Sequence, residues 1–245
     1  MDLDNTAREV YSRQIIINEI GETGQRKLRD ASVLVIGCGG LGSAALLYLA
    51  AMGIGHIGLC DGDTVSLSNL NRQVLYTMDD IGKPKVLVAK DRLLALNPEL
   101  KITVYDCYLD EGIAGEIITN YDIIVDCLDN FNARFILNDA CVAVEKPFVH
   151  AGVGEFGGQL MTVTPGTGPC LRCLFPNVKE KTGSNEVSGV VGAIPGTLGT
   201  MQALEVVKYL LGLPVSNDGL VIYDSLRMSL EKIHFEASPE CVCGK

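Results

Sequence analysis

The chain has 245 residues, of which 47% are hydrophobic, and its formal net charge is −10. This length and composition predict one domain with a substantial core, and the negative charge disfavours duplex nucleic acid as the main partner. No apolar run approaches the roughly 20 residues that a bilayer-spanning helix needs, and residues 1–9 are polar, so we expect a cytoplasmic protein without a signal segment or a membrane partner.

Apolar runs alternate with helix-like segments over the first 150 residues. The predicted strands are Val33–Ile36, Ile57–Cys60, Ile102–Tyr105, Ile123–Cys127 and Phe148–His150, and the predicted helices are Ser43–Met52, Lys85–Leu96, Glu111–Thr119 and Asn132–Val144. Such alternation is typical of successive βαβ units. We therefore predict an α/β fold with a mostly parallel sheet and helices on both faces.

The pattern changes after residue 150. The strands predicted there are Gln159–Thr164, Gly219–Tyr223 and Ser229–Phe235, and a helix is predicted over Gly199–Leu211. We expect these strands to extend the same sheet in antiparallel fashion. Residues 177–191 have no clear periodicity and are predicted to form a mobile crossing loop.

A glycine-rich turn follows the first predicted strand, in the sequence Gly37-Cys38-Gly39-Gly40-Leu41-Gly42. Gly37 permits the tight turn, Gly39 and its neighbour Gly40 let backbone N–H groups approach phosphate, and Gly42 allows close helix packing. The N-terminus of the next helix then faces the anion. This turn predicts a Rossmann-like nucleotide site, although by itself it fits a dinucleotide, ATP or a structural turn.

Two acidic positions lie where parallel strands end. Asp61 ends the second strand and could accept hydrogen bonds from ribose hydroxyls, a role that Asp63 could fill instead. Asp129 follows the fourth strand and could hold Mg²⁺ against phosphates. As an alternative, Asp129 or Asn130 caps the helix that follows.

Two cations follow the second strand. Arg72 lies in the segment Ser66–Gln73, and Lys85 follows a glycine and a proline. A triphosphate needs such charges along its length, whereas a nicotinamide cofactor does not. The chain has no GxxxxGK[ST] run, which excludes a Walker-type ATPase.

Two close cysteine pairs lie far apart in the sequence, Cys170 with Cys173 and Cys241 with Cys243. Together they could supply four thiolates to a structural Zn²⁺ that ties the tail, about 236–245, to the middle of the chain. The alternative is a reduced pair and an unliganded tail. The other cysteines considered (Cys60, Cys107, Cys127 and Cys141) are expected to be buried and inert, and the three histidines (His56, His150 and His234) to be structural, without an evident acidic partner.

Jointly these residues resemble the MoeB/ThiF/HesA family, the bacterial relatives of ubiquitin-activating enzymes. The matching positions are Arg13-Gln14, Gly37–Gly42, Asp61, Ser68–Gln73, Lys85, Asp129-Asn130 and the helix around Gln202–Glu205. The resemblance covers essentially the whole chain and implies a single adenylating domain that begins with helices at about residues 5–29. It also implies ATP-dependent adenylation of the C-terminal glycine carboxylate of a small ubiquitin-like sulfur-carrier protein ending in Gly-Gly.

The resemblance further implies a role for each matching residue. Asp61 would hold the ribose, Lys85 and Asn69 would lie near the α-phosphate, and Asp129 would bind Mg²⁺. Arg72 and Arg13 would reach the terminal phosphates, with Arg13 coming from the other subunit of a homodimer. Ser68 and Asn130 would complete the ATP contacts.

Two features depart from the family pattern. The second cysteine pair is one residue tighter than the usual Cys-x-x-Cys, and the crossing loop lacks the cysteine that many relatives carry, with Asn185 at about its place. We therefore expect adenylation without a loop thioester, with sulfur delivered by a sulfurtransferase or cysteine desulfurase. The carrier could serve thiamine, molybdopterin, tRNA thiolation or sulfur-amino-acid synthesis.

Three other functions remain open at this point. The acceptor could be a non-protein carboxylate, such as one on tRNA. An NAD-dependent oxidoreductase would bind NAD(H) and would have no need for Arg72 or Lys85. A nucleotide-binding scaffold would bind the carrier tightly without adenylating it.

Overall fold

An eight-stranded sheet forms the centre of the computed structural model, which describes residues 3–176, 178, 189–239, 241 and 243. The strands are β1 (Ser32–Ile36), β2 (His56–Cys60), β3 (Lys101–Tyr105), β4 (Ile123–Asp126), β5 (Phe148–Val153), β6 (Gly157–Val163), β7 (Gly219–Asp224) and β8 (Ser229–His234). Their spatial order is β3-β2-β1-β4-β5-β6-β7-β8, with parallel pairing from β3 to β5 and antiparallel pairing from β5 to β8. The predicted mixed sheet is thus confirmed.

The helices that the structure describes are α1 (Asn5–Val10), α2 (Ser12–Ile15), α3 (Gly21–Asp30), α4 (Gly40–Ala51), α5 (Lys85–Leu96), α6 (Ala114–Thr119), α7 (Phe131–Ala143), α8 (Leu171–Leu174) and α9 (Ala193–Leu211). Within this described part of the chain, no helix has both the length and the apolar character that a bilayer crossing requires. Most of the predicted crossing loop, residues 177 and 179–188, lies outside the described residues.

Four helices begin at other residues than predicted, although α7 starts only one residue early, at Phe131. α4 includes Gly40 and Gly42, the last two glycines of the turn. α9 starts six residues early because Gly199, which we expected to open the helix, lies inside it against α4. A Cβ on Gly199 would be 2.2 Å from the Leu41 carbonyl oxygen, so only glycine permits this close approach. α6 starts three residues late because the Asp110 carboxylate accepts hydrogen bonds from the N–H groups of Gly112 and Ile113 and forms a turn there.

The core has two layers, one on each face of the sheet. Val33 and Val35 of β1 pack into the layer of α4 and α9, whereas Leu34 and Ile36 pack into the layer of α6 and α7. All four side chains are at most 1% exposed. The apolar runs read from the sequence therefore reflect strands buried on both faces, as parallel sheets require.

Asp80 holds the segment between β2 and α5. Its buried carboxylate accepts hydrogen bonds from the backbone N–H and hydroxyl of Thr77 and pairs with Lys83 and Arg92. These hydrogen bonds hold the pKa of Asp80 well below its ordinary value, and the one from the Thr77 backbone N–H has the largest effect. The segment that leads to Lys85 is thereby fixed.

Replacing Asp80 by asparagine is expected to lower the free energy of unfolding at pH 7 by about 1–3 kcal/mol, because charge-assisted hydrogen bonds are lost. The folded-state pKa is depressed, so the contribution is complete above the unfolded value of about 4 and is lost as the pH falls through the folded value. We therefore expect Asp80→Asn to lower the free energy of unfolding less at pH 3 than at pH 7. Urea unfolding at both pH values measures this, and Asp79→Asn, a change at the exposed neighbour, is the control. Equal destabilisation at both pH values would contradict it.

Candidate functional site

A cavity of about 560 Å³ opens at the carboxyl ends of β1, β2 and β4. Eight of the predicted site residues line it, namely Gly37, Gly39, Gly40, Asp61, Arg72, Lys85, Asp129 and Asn130. Four predicted residues do not line it: Arg13, Gly42, Ser68 and Asn69. Open α/β folds bind ligands at this edge.

The glycine turn brings the backbone close to the cavity. Gly37 has φ +96°, and a Cβ there would be 2.5 Å from the carbonyl oxygen of Cys127, so both the backbone conformation and the space require glycine. A Cβ on Gly42 would be 2.0 Å from the Gly37 oxygen. Gly42 therefore lets α4 begin directly against β1, with its N-terminus at the cavity.

Gln73 faces this turn from the cavity wall. The side chain is buried, and its Nε2 would be 3.5 Å from a Cβ on Gly39. Its amide oxygen has no hydrogen-bond partner among the described residues. A buried polar atom without a partner is costly, so a polar ligand beside the glycine turn fits this wall.

Asp61 joins the end of β2 to the glycine turn. One carboxylate oxygen accepts the N–H of Cys38 at 2.7 Å, and the other accepts the N–H of Asp63 at 2.8 Å. Burial raises the pKa of Asp61, while the Lys85 charge and these hydrogen bonds work against the rise. Each oxygen keeps a second lone pair, so the carboxylate could also accept hydroxyl donors from the cavity.

Lys85 is held by Asp63. Its side chain is 5% exposed, and its Nζ lies 2.7 Å from one Asp63 oxygen. The other oxygen accepts the Tyr108 hydroxyl at 2.6 Å. Partial burial would raise the pKa of Asp63, but the hydrogen bonds from Lys85 and Tyr108 outweigh it and lower the pKa. The ammonium is thus fixed in the cavity wall.

Arg72 is half-buried and is supported by the turn before it. Its Nη1 donates to the Ser68 carbonyl and to the Asn71 side chain, each at 3.0 Å. The Asn69 carbonyl accepts the N–H groups of Arg72 and Gln73. Ser68 and Asn69 therefore lie behind Arg72 and position it.

Asp129 is exposed at the cavity, and its carboxylate accepts the amide of Asn130 at 3.2 Å. Asn130 is also the N-cap of α7, since its side chain accepts the Ala133 N–H at 2.9 Å. The capping role considered in the sequence analysis thus belongs to Asn130 and leaves Asp129 facing the cavity.

Arg13 lies on α2, exposed and away from the cavity of its own chain. The next residue, Gln14, anchors this helix by donating to Gln25 at 2.7 Å and to the Met52 carbonyl at 3.1 Å. Ile16 and Ile17, one turn further on, are 71% and 44% exposed. An uncovered apolar segment therefore accompanies Arg13.

His150 has an acidic partner that was not evident in the sequence. Because β4 and β5 are neighbours with Asp126 opposite His150, the two side chains meet at 2.7 Å and are fully buried. Burial lowers the pKa of His150 against the opposing effect of Asp126. His234 likewise lies 3.1 Å from Asp218, whereas His56 bonds Thr103.

Three of the four cysteines expected to be inert, Cys60, Cys127 and Cys141, are buried as predicted. Cys107 is only half-buried. Cys60, Cys107 and Cys127 all line the cavity. Burial raises the pKa of Cys60 to about 12 and that of Cys127 well above the ordinary value. Protonated thiols are poor nucleophiles, so neither is suited to form a thioester.

The four cysteines predicted to bind zinc meet at one place, although 67 residues separate the two pairs. They are Cys170, Cys173, Cys241 and Cys243. Their sulfur atoms all lie within 4.8 Å of one another. The Sγ–Sγ distance is 4.0 Å between Cys170 and Cys173, 3.5 Å between Cys170 and Cys241, and 3.3 Å between Cys173 and Cys243. A tetrahedral zinc with bonds of about 2.3 Å places its sulfur ligands about 3.8 Å apart. The cluster could therefore hold a metal ion, and none of its thiols lines the cavity.

Sequence reasoning missed two polar residues of the cavity, Tyr108 and Arg134. Arg134 is buried, and it donates to the carbonyls of Leu128 at 2.5 Å and Ala151 at 2.9 Å. Tyr108 follows β3, which the strand order places beside β2. Only this lateral order could have linked Tyr108 to Asp61.

The ThiF family profile matches residues 11–244. The chain is 43% identical over 243 residues to the sulfur carrier protein adenylyltransferase of Thermus thermophilus, with 96% of this chain and 90% of the relative covered. It is 41% identical over 236 residues to the sulfur carrier protein ThiS adenylyltransferase of Escherichia coli, with 96% and 94% covered.

Crystal structures of E. coli MccB share the fold at 27% identity. The structure with MccA-N7isoASN has a TM-score of 0.89 and covers 99% of this chain and 76% of the MccB chain. The structure with ATP has a TM-score of 0.83 and covers 99% and 75%.

Proposed function

This chain belongs to the ThiF family, and we propose that it uses ATP to adenylate the C-terminal glycine carboxylate of a small ubiquitin-like sulfur-carrier protein. The observation that carries the proposal is the cavity at the glycine turn, where Asp61, Arg72, Lys85 and Asp129 come together. Two relatives that match nearly the whole chain are named sulfur carrier protein adenylyltransferases. We treat residues 1–245 as one adenylating domain.

The chemistry requires positioning rather than a general base. The carrier carboxylate is already a nucleophile, and one of its oxygens forms a bond to the α-phosphorus of ATP while the bond from that phosphorus to the pyrophosphate oxygen breaks. The products are the acyl-adenylate and pyrophosphate, and no proton need be removed from the nucleophile. The reaction is then accelerated by orientation of the carboxylate and ATP and by stabilisation of the phosphate charge.

Each charged residue that the sequence predicted for the cavity has a role in this proposal. The free lone pairs of Asp61 accept ribose hydroxyls, and the glycine turn and N-terminus of α4 receive phosphate. Lys85 contacts the α-phosphate, and Arg72 neutralises the terminal phosphates. Ser68 and Asn69 are proposed as contributors to ATP binding, in part through their support of Arg72.

Asp129 fits Mg²⁺ because an exposed carboxylate at the cavity is a hard oxygen ligand. When bound, Mg²⁺ would neutralise phosphate charge and assist departure of pyrophosphate. Asn130 keeps the loop of Asp129 in place by capping α7.

We propose a homodimer in which Arg13 reaches the cavity of the other subunit. Arg13 does not line the cavity of its own chain. Exposed apolar side chains near it and on α4 and α9 support a covering partner, namely Ile16 at 71%, Tyr48 at 50% and Leu204 at 54%. A second copy would bury these side chains and complete the site.

The cysteine cluster is proposed to bind structural Zn²⁺. None of the nine cysteines forms a disulfide, which favours a reducing compartment such as the cytoplasm. The chain's crossing loop has no cysteine, so we propose that the acyl-adenylate passes to sulfur delivered by a sulfurtransferase or cysteine desulfurase.

The test is ATP–pyrophosphate exchange with purified protein and carriers ending in Gly-Gly. We expect exchange that needs both Mg²⁺ and the intact carrier, and none with a carrier truncated by its last glycine. ATP binding without exchange for any such carrier would overturn the proposal in favour of a scaffold. NAD(H) binding that survives Arg72→Ala and Lys85→Ala would favour the oxidoreductase, and exchange with a tRNA carboxylate would favour the non-protein acceptor.

A further inference from the structure

Tyr108 stands at the mouth of the cavity without an assigned role. It follows the end of β3 by three residues, and its ring packs over Gly62, where a Cβ would be 2.9 Å from the Tyr108 ring. The residue is 67% exposed, so its hydroxyl could be hydrated. Instead it donates to Asp63.

The hydroxyl is the outer end of a short chain of contacts. It lies 2.6 Å from one Asp63 oxygen, and the other Asp63 oxygen lies 2.7 Å from the Lys85 ammonium. The hydrogen bond to Asp63 and the charge of that carboxylate raise the pKa of Tyr108. The phenol, which is protonated at neutral pH even at its ordinary pKa of about 10, is therefore the donor in this hydrogen bond. Charge-assisted bonds of this length are stronger than neutral ones.

The hydrogen bond from Tyr108 restrains an aspartate that is otherwise half in solvent. The Asp63 side chain is 49% exposed, whereas the Lys85 side chain that it holds is 5% exposed. An exposed aspartate with one partner can change its rotamer. With the hydroxyl on one oxygen and the ammonium on the other, both oxygens are fixed. Small errors in the position of a reacting group can cost up to about 10²-fold in rate.

We propose that Tyr108 is a positioning residue, which through Asp63 fixes the Lys85 ammonium against the phosphates of the nucleotide. This inference rests on the proposed function, in which Lys85 contacts the α-phosphate. It predicts that the Tyr108 hydroxyl governs turnover more than ATP affinity. A ring that merely covers the nucleotide would instead make Tyr108→Phe silent and Tyr108→Leu harmful.

The kinetic test compares Tyr108→Phe and Asp63→Asn with Tyr105→Phe. Tyr105 is the matched control, because its hydroxyl also takes part in a hydrogen bond, with Tyr121, but does not line the cavity. We expect Tyr108→Phe to lower kcat for exchange about 5-fold and Asp63→Asn about 30-fold, with KM for ATP changed less than about 2-fold. The double variant should match Asp63→Asn, because both act on one chain of contacts.

Two further readouts separate positioning from a structural role. Discrimination between the Rp and Sp isomers of ATPαS should weaken in Tyr108→Phe, since Lys85 is placed at the α-phosphate. In the ligand-free protein, acetylation of Lys85 by acetic anhydride, followed by mass spectrometry, should become about 3-fold faster than in wild type. Tyr105→Phe should leave both unchanged.

Unchanged kcat or unchanged Lys85 acetylation in Tyr108→Phe would overturn the inference, as would an effect confined to KM. The acetylation needs no carrier and no turnover. If wild-type protein failed to exchange with any carrier, the proposed function would fall, while acetylation would still decide whether Tyr108 holds Lys85.

Discussion

Replacing Arg72 or Asp129 by alanine is expected to reduce carrier-dependent exchange at least about 10³-fold. Each side chain is proposed to meet charge on the triphosphate or its Mg²⁺, and loss of one such group typically costs this much. Neither change should unfold the protein. The hydrogen bonds of the Arg72 guanidinium go to the turn that precedes it, and the Asp129 carboxylate accepts a hydrogen bond from its neighbour Asn130.

The measurement is exchange at saturating ATP and carrier, with Tm recorded for every variant. Lys101→Ala and Asp91→Ala are matched controls, because both residues are exposed and neither lines the cavity. Lys101 begins β3 and therefore lies at the opposite edge of the sheet. Near wild-type exchange in either alanine variant of the site would refute the assigned roles.

The same variants test the contribution of Arg13 from a partner. Arg13→Ala alone should be inactive, but co-expression with Asp129→Ala should restore about a quarter of wild-type exchange. Half of randomly assembled dimers contain one chain of each kind, and each of these has one intact site out of two. No recovery in mixed dimers, isolated with two different tags, would place Arg13 outside the partner's site.

Removal of the metal from the cysteine cluster is expected to lower Tm by about 10 °C. The ion would join Cys170 and Cys173 to the tail through Cys241 and Cys243, so its binding energy becomes folding energy. Cys173→Ser should have the same effect and should reduce bound zinc from one per chain to none. Because no cluster thiol lines the cavity, exchange at 20 °C should survive while the protein remains folded.

Elemental analysis and thermal unfolding with and without a chelator measure this prediction. Cys107→Ser is the matched control, since its thiol is also partly exposed but lies outside the cluster. Stoichiometric zinc in Cys173→Ser would refute the ligand set. Iron in place of zinc would keep the cluster as a metal site but change the ion, because four thiolates suit both.

Local signals in the sequence were enough to predict the strands and the glycine turn. The apolar runs at Val33–Ile36 and Ile123–Cys127 mark strands buried on both faces. Gly37 is required locally by its positive φ, and Gly42 by its close approach to the Gly37 carbonyl within the turn. Helix starts were less accurate. Gly199 reads as a helix boundary until the packing of α9 on α4 is known.

The alternation of strands and helices, the glycine turn and the types of charged group that serve ATP can all be read from the amino-acid sequence. Which strands are neighbours cannot, and neither can the meeting of Tyr108 with Asp63, of His150 with Asp126 or of the two distant cysteine pairs. Periodicity and turn preference act over only a few residues. Side-chain partners from separate strands depend on lateral order, which packing of the whole core sets.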